Sequence, residues 1–177
     1  IRAFDLMCQS LGPVIPRPTL WMVGEGPLLK PARGLVCDLG LQDCVRFFGA
    51  RPQDQVADLM RQVRGFVQHS MVAPDGDSEG NPVAVMEAQL SGLPVVATSH
   101  AGIPEVVLDG QSGLLVEEGD ETAMAQAMAL LVQDPAFAAR LGDCGRQRVQ
   151  EHFTIEHHLQ QVSQLLHQVM QHRPESL

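Results

Sequence analysis

Five short apolar runs, separated by segments with helical periodicity, constrain the fold of this chain most strongly. The runs are continuous and do not alternate between apolar and polar residues, which is typical of strands in a parallel sheet with helices on both faces. The predicted strands are residues 19–23, 45–49, 65–69, 94–99 and 113–117. Because strands and helices alternate along the chain, we expect an α/β protein, a Rossmann-like α/β/α sandwich with a mostly parallel sheet.

Helices are predicted between these strands and after the last of them. Those between the strands lie near residues 27–39, 54–63, 82–91 and 104–108. Farther along, Asp120 is placed to cap a helix over Glu121–Gln133, and Pro135 is placed to begin a second one. Thr154 can cap a third helix over Ile155–Gln171. We therefore expect the sandwich to carry additional C-terminal helices.

The composition fits a soluble globular domain and argues against several classes of partner. The chain has 177 residues, the size of one domain, with 45% hydrophobic and 19% charged residues. Its net charge of −9 argues against a nucleic-acid partner, which requires a basic face, and gives no support for docking on anionic lipid. No apolar run reaches the ~18 residues that are needed to span a bilayer.

Neither the cysteines nor the histidines show the spacing of a metal site. The 4 cysteines lack C-x-x-C spacing, and the 7 histidines form no ligand pattern. Scattered cysteines of this kind are typical of reduced thiols in the cytosol. We therefore expect a cytoplasmic protein that uses no metal and no other cofactor.

The candidate site lies in the stretch SEGNPVAVMEAQLSGLPVVATSHAGIPE. Here Asn81 is a strong N-cap, Pro82 suits the first helical position, and Gly92 ends the helix. The helix follows the exit of a strand, which is where ligands bind in an open parallel sheet. The free N–H groups of Val83 and Ala84, together with the helix dipole, predict a site for a phosphate or another anion.

Two carboxylates, Glu79 and Glu87, flank the start of this helix. At ~1.5 Å per residue, the five steps from Pro82 to Glu87 span roughly 7–8 Å. Carboxylates accept hydrogen bonds from vicinal hydroxyls, so a nucleotide diphosphate-sugar, with hydroxyls on both sides of its charge, fits this spacing. The apolar residues around Glu87 predict a buried carboxylate that needs a specific partner. The alternative is that Glu79 is a solvated loop residue and Glu87 a surface residue of the helix.

A second glycine turn, in PVVATSHAGIPE, follows the next strand. Gly102 permits a close approach of the backbone, and Pro104 opens a short helix with Glu105 in its first turn. Two neighbouring strand-to-helix turns would form one cleft. By contrast, GEGPLL after the first strand is a weak dinucleotide signal, because Leu29 stands where G-x-G-x-x-G has its third glycine.

The order of several motifs makes the chain recognisable. VGEGPLL, VRFFGARPQDQVADLM, EGNPVAVMEAQLSGLPVVAT, AGIPEVVLDGQSGLLVEEGD and LGDCGRQRV follow one another. They closely resemble the C-terminal domain of group 1 retaining glycosyltransferases of the GT-B fold, over about residues 18–153. DGDSEGNPVAVMEA is most similar to bacterial members that build exopolysaccharide or lipopolysaccharide. The resemblance implies one half of a GT-B fold, the half that binds the nucleotide-sugar donor.

The resemblance also implies roles for residues of the two glycine turns and of one strand exit. Residues with an implied role at the donor sugar are Glu79, Gly80, Asn81 and Pro82; those with an implied role at the phosphates are Val83, Ala84, Ala101 and Gly102. Glu87 would bind the ribose, and the base would lie against Gly49, Ala50 and Arg51. The family often has Gly-Phe-Gly after the first Glu and Gly-Gly in the later loop, so these departures leave the identity of the donor sugar open.

By the same resemblance, this chain is only part of an enzyme. It begins inside a helical pattern, IRAFDLMCQSL, without a Met or a cap, and we expect a piece of a longer protein. The Arg and Lys that neutralise the diphosphate would lie just upstream of this chain, and the absent half would be the domain that binds a glycan or lipid-linked acceptor. We expect this piece alone to be inactive, and the whole protein to meet the inner face of the membrane only through the absent half.

Some alternatives remain open at the level of sequence. The family's terminal helix packs towards the other domain, but Leu159, Val162, Leu165 and Leu166 could instead cover this domain's own core. A nucleotide-sugar epimerase of the same fold would need His and acidic residues arranged for proton abstraction. A non-catalytic module that binds sugar nucleotides would have purely structural carboxylates. No catalytic nucleophile is assigned to Glu79 or Glu87.

Overall fold

The computed structural model describes residues 1–72, 76 and 83–171, apart from three side chains in the last helix. The elements in chain order are α1 Arg2–Ser10, β1 Leu20–Val23, α2 Leu29–Asp38, β2 Val45–Gly49, α3 Gln53–Met60, β3 Phe66–Gln68, α4 Val83–Leu90, β4 Val95–Thr98, α5 Ile103–Val106, β5 Leu114–Val116, α6 Glu121–Gln133, α7 Pro135–His152 and α8 Ile155–Gln171. The predictions for Glu79, Gly80, Asn81 and Pro82 lie outside the described residues.

All five predicted strands are present, and every strand pairing among the described residues is parallel. The strands form two sheets, β1-β2 and β3-β4-β5, instead of one continuous sheet. Leu20 pairs with Val45 in the first sheet, and Val96 pairs with Leu114 in the second. The α/β prediction is therefore confirmed, with a break in the ladder between β1 and β3.

Helices cover both faces of the central strand β4, and this explains its continuous apolar run. In β4, Val95, Val96 and Ala97 are all fully buried. Val96 faces a core with α1 and α6, whereas Val95 and Ala97 face a second core with α4, α5 and α7. Successive residues of a strand point to opposite faces, so an apolar layer on each side leaves no position for a polar residue.

The predicted caps at Asp120 and Thr154 and the predicted stop at Gly92 are confirmed. Asp120 accepts a hydrogen bond from the third residue of α6 at 2.8 Å. Asp134, a cap that the sequence analysis did not predict, accepts one from the third residue of α7 at 2.9 Å. Thr154 accepts one from His157 N at 3.3 Å. Gly92 ends α4 with a φ of 76° in a Schellman motif, in which the N–H of Leu93 bonds to Ala88 O.

Three predicted helix starts are shifted. The helix predicted from residue 27 begins at Leu29, the one predicted from residue 54 begins at Gln53, and the short helix predicted from Pro104 begins at Ile103. Pro104 is the second residue of this short helix. Proline fits the first or the second position of a helix because neither N–H has an intrahelical partner, so this proline does not fix the start to one residue.

Helix α7 lies in close contact with α4. A Cβ atom at Gly142 would overlap the carbonyl oxygen of Gly92, and one at Gly145 would lie 3.1 Å from the side chain of Gln89. Arg146 Nη2 donates to Ser91 O at 3.0 Å, so α7 also satisfies a carbonyl at the C-terminal end of α4. This packing holds α4 in place from the side opposite its solvent-exposed face.

Helix α8 does not cover the described core. Its apolar side chains Leu159, Val162, Leu165 and Leu166 are all exposed, between 39% and 61%. The interpretation that these residues pack on this domain's own core is therefore wrong. None of the helices within the described part of the chain combines the length and the apolarity that a membrane crossing needs.

We expect Gly142→Ala to lower the free energy of unfolding by about 1–3 kcal/mol, because the added methyl group must displace backbone at Gly92. Gly34→Ala is the matched control. Gly34 is exposed inside α2 with open space around it, so its replacement should raise stability by ~0.5–1 kcal/mol. Urea denaturation measures both variants, and equal effects at the two positions would contradict the close contact of α7 with α4.

Candidate functional site

A cavity of about 380 Å³ opens at the carboxyl ends of the strands, between β1 and β3 where the ladder is interrupted. Its volume lies within the ~300–1,000 Å³ that small-molecule sites occupy. The lining residues are Val23, Gly24, Ala50, Arg51, Val56, Met60, Phe66, Val67, Gln68 and Ala84. The strand order β2-β1 and then β3-β4-β5 changes direction at this point, and open α/β sheets bind ligands at such a switch.

Two of the three residues predicted at the base line this cavity, namely Ala50 and Arg51. Gly49 precedes them with a φ of 68°, a conformation that favours glycine, and its carbonyl accepts a hydrogen bond from Gly24 N at 2.9 Å. A Cβ atom at Gly49 would lie 3.3 Å from Glu25 Oε1. The exits of β1 and β2 thus meet at the cavity, and Gly49 permits their close approach.

Of the residues predicted at the phosphates, only Ala84 lines the cavity. It lies at the start of α4, and its neighbour Val83 is exposed. The first N–H groups of a helix have no intrahelical partner, so this end of α4 offers donors to an anion. Ala101 and Gly102 follow β4 and do not line the cavity.

Glu87 is only partly buried, so the prediction of a carboxylate enclosed by apolar residues is wrong. The apolar face of α4 points to the core through Val85 and Ala88, and Glu87 lies beside α3 instead. Its Oε1 accepts a hydrogen bond of 2.6 Å from Gln53 Nε2. Glu87 therefore has a partner within the protein, which the sequence did not indicate.

The fully buried polar residue of α4 is Gln89, which the sequence analysis missed. Its Nε2 donates to Ser112 O at 2.9 Å, and its Oε1 has no hydrogen-bond partner among the described residues. It packs against Gly145 of α7. The sequence feature that corresponds to this contact is Gly145 in LGDCGRQRV, because a glycine on α7 leaves room for the side chain of Gln89.

The turn after β4 adopts an unexpected backbone conformation. Ala101 has a φ of 45°, whereas Gly102 has a φ of −81° that any residue can adopt. The left-handed residue of the turn is thus the alanine, which the sequence did not indicate. For an alanine this conformation is strained by about 1–2 kcal/mol.

Residue His100 is a second feature that the sequence analysis missed. The side chain is only 2% exposed, and its Nδ1 lies 2.6 Å from Glu118 Oε1. The other oxygen of Glu118 accepts a hydrogen bond from Val72 N at 3.2 Å. The hydrogen bond with His100, and then the one from Val72, hold the pKa of Glu118 below its usual value.

These contacts hold the exit of β3 against its neighbouring strands. Thr98 Oγ1 at the end of β4 donates to Ser70 O at 2.6 Å, two residues before Val72. The chain then enters the segment that carries the predicted donor-sugar residues, which is outside the described part. Residues at the carboxyl ends of β4 and β5 thus fix the point at which that segment leaves the sheet.

The fold and its cavity define a class of protein, an α/β sandwich that offers a ligand site at the carboxyl edge of parallel strands. The sequence model of the family described as "Glycosyl transferases group 1" matches residues 1–148, and the chain belongs to this family. The predicted resemblance is thereby confirmed.

Known relatives include enzymes that build bacterial glycans. The amylovoran biosynthesis glycosyltransferase AmsK of Erwinia amylovora is 35% identical over 145 residues, which are 82% of this chain and 36% of that protein. The GDP-mannose-dependent alpha-(1-6)-phosphatidylinositol monomannoside mannosyltransferase of Mycolicibacterium smegmatis is 32% identical over 80% of this chain and 38% of that protein. The chain therefore spans just over a third of the length of these relatives.

A solved structure has a similar fold. Anabaena Alr3699/HepE in complex with UDP-glucose superposes with a TM-score of 0.77 and 26% identity, over 94% of this chain and 44% of that chain. The predicted half of a GT-B fold is consistent with this share.

We expect Ala101→Gly to leave the free energy of unfolding unchanged or to raise it by up to ~1 kcal/mol, because the strain at a φ of 45° is relieved. In the control, Ala139→Gly in the middle of α7 should lower stability by ~0.5–1 kcal/mol, since its conformation is an ordinary helical one. Thermal and urea denaturation compare the two. A loss at residue 101 as large as that at residue 139 would show that the turn is not strained.

We expect the contribution of Glu118 to stability to disappear in acid. Its pKa is lower in the folded protein than in the unfolded chain, so its stabilising effect is complete above about pH 4.5 and is lost as the pH falls through the lowered pKa. The difference in unfolding free energy between the native chain and Glu118→Gln should therefore be largest near neutral pH and shrink below pH ~4.5. A difference that stays constant from pH 7 down to pH ~3.5 would contradict the pairing with His100.

Proposed function

We propose that this chain binds the nucleotide-sugar donor of a retaining glycosyltransferase, with the nucleoside diphosphate in the cavity between β1 and β3. The observation that carries the proposal is the meeting of three predicted groups of residues at one place. Ala50 and Arg51 line the cavity, Ala84 lines it from the start of α4, and Glu87 follows one turn farther along the same helix. The relative from Anabaena was solved with UDP-glucose, which supports a ligand of this class.

The proposed arrangement follows the order of groups in the ligand. The base lies against Gly49, Ala50 and Arg51, and a hydroxyl pair of the ribose donates to Glu87. The diphosphate lies at the N-terminal end of α4, near Val83 and Ala84, where N–H groups and the helix dipole favour negative charge. The N–H groups at this position stabilise part of the negative charge, and the proposal includes no metal ion.

Residues Glu79, Gly80, Asn81 and Pro82 complete the proposal as the donor-sugar site, and they lie outside the described residues. Ala101 and Gly102 are proposed at the phosphates and the hexose from the second turn. They do not line the cavity, so their contact would be with the part of the ligand that extends beyond it. Neither Glu79 nor Glu87 is proposed as a nucleophile.

Transfer to an acceptor is proposed for the whole protein. Because the chain spans just over a third of its relatives, the acceptor site and the cations that neutralise the diphosphate would belong to the rest of the enzyme. The acceptor is proposed to be a glycan or a lipid-linked glycan, and the reaction to proceed in the cytoplasm at the inner face of the membrane. The chain by itself, a single domain, would bind donor without transferring sugar.

Two alternative functions came from the sequence, an epimerase and a non-catalytic module. Membership of the group 1 family disfavours an epimerase. A non-catalytic module that binds sugar nucleotides makes the same prediction for binding but not for the role of the carboxylates in the whole enzyme. Replacing Glu79 and Glu87 by Gln in the full-length enzyme separates the two proposals. Sugar transfer should fall if these carboxylates bind the donor, and should be unchanged if they are purely structural, as the module hypothesis requires.

We expect titration calorimetry to detect binding of UDP, GDP or ADP, or of their sugar forms, to this chain. Glu87→Gln should weaken the tightest of these by about 10- to 100-fold, since a hydrogen bond to a charged group contributes ~1.5–3 kcal/mol. Glu151→Gln, an exposed change far along α7, is the matched control and should bind as the native chain does. Absence of heat with every nucleotide, or an unchanged Kd for Glu87→Gln, would contradict the proposal.

A further inference from the structure

The hydrogen bond between Gln53 and Glu87 joins α3 and α4, two helices that both line the cavity. Gln53 is the first residue of α3, and Glu87 lies in the second turn of α4, 34 residues farther along the chain. Helix α3 contributes Val56 and Met60 to the cavity wall, and α4 contributes Ala84. The hydrogen bond therefore joins two of the elements that line the cavity proposed to hold the ligand.

The geometry of this bond leaves one oxygen of the carboxylate available. Gln53 Nε2 donates to Oε1 at 2.6 Å, a short and charge-assisted hydrogen bond. Within the part of the chain that the structure describes, Oε2 of Glu87 accepts no hydrogen bond. A carboxylate that is fixed through one oxygen presents the other in a defined direction.

The chemistry of the amide suits such a role. An Arg at residue 53 would engage both oxygens of the carboxylate and offset its charge. The carboxylate would then have little capacity left to accept hydrogen bonds from hydroxyls of a ligand. The neutral amide of Gln53 fixes the carboxylate and preserves its charge. It also restricts a side chain that otherwise has many rotamers, so less conformational freedom is lost when a ligand binds.

The position of Gln53 in the chain adds a second consequence. It comes two residues after Arg51, which lines the cavity at the proposed base site. The same hydrogen bond thus fixes the distance between the loop proposed to hold the base and the carboxylate proposed to hold the ribose. We infer that Gln53 is a positioning residue, which orients Glu87 through Oε1 so that Oε2 accepts hydrogen bonds from hydroxyls of the nucleoside; this inference rests on the proposed function.

The test uses Gln53→Met, which keeps the length of the side chain and removes the donor. Gln55→Met on the same helix is the control, because Gln55 is exposed like Gln53 but has no side-chain hydrogen bond among the described residues. Calorimetry measures the Kd of each chain for the nucleoside diphosphate that the native chain binds most tightly and for its 2′,3′-dideoxy form. Gln53→Met should weaken binding of the hydroxylated ligand by about three- to tenfold. Gln53→Met should bind the dideoxy ligand as the native chain does, because this ligand lacks the hydroxyls that would donate hydrogen bonds to Glu87.

A merely structural role of Gln53 would weaken both ligands equally or lower the free energy of unfolding, and either result overturns the inference. Tighter binding by Gln53→Met also overturns it, because Gln53 would then compete with the ligand for Glu87. The failure of the inference is distinguishable from that of the proposed function. If Glu87→Gln weakens binding and Gln53→Met does not, only the inference fails; if no nucleotide binds to the native chain, both fail.

Discussion

The close contact between α7 and α4 is the constraint on which the rest of the structure depends. Gly142 and Gly145 remove the side chains that would separate the two helices, and the left-handed turn at Gly92 brings a carbonyl oxygen into the space that results. Arg148 Nε extends the contact by donating to Val106 O at the end of α5, at 2.9 Å. Helix α7 thus contacts the C-terminal ends of α4 and α5, whereas Ala84 near the N-terminal end of α4 lines the cavity. The position of Glu87 and Ala84 follows from this packing.

The cavity exists because the sheet is interrupted beside it. Strands β1 and β3 are not joined by a ladder, and residues from their ends, from the loop after β2 and from α3 and α4 form the walls. A continuous ladder would fill this space with backbone hydrogen bonds. The hydrogen bond of Gln53 with Glu87 joins α3 and α4, the two helices that contribute to these walls.

The sequence predicted the parts of the fold that depend on local chemistry. Continuous apolar strands, Asp and Thr caps and the glycine stop at residue 92 each act within a few residues, so their patterns suffice. It failed where a residue's environment comes from distant segments. Glu87 is surrounded by apolar residues in the chain but lies against Gln53 in space. His100 is buried and pairs with Glu118, which follows another strand. The strain at Ala101 and the exposed apolar face of α8 likewise depend on tertiary placement, which no short window of sequence contains.

The central claim is that a nucleoside diphosphate lies in the cavity at the carboxyl ends of β1, β2 and β3. Chemical-shift mapping of the ¹⁵N-labelled chain by two-dimensional NMR, during titration with a nucleoside diphosphate, tests it most directly. We expect the largest chemical-shift changes at the backbone amides of Gly24, Ala50, Arg51, Ala84 and Glu87, and small changes along α8. Changes that cluster away from this cavity, or no change up to millimolar ligand, would contradict it.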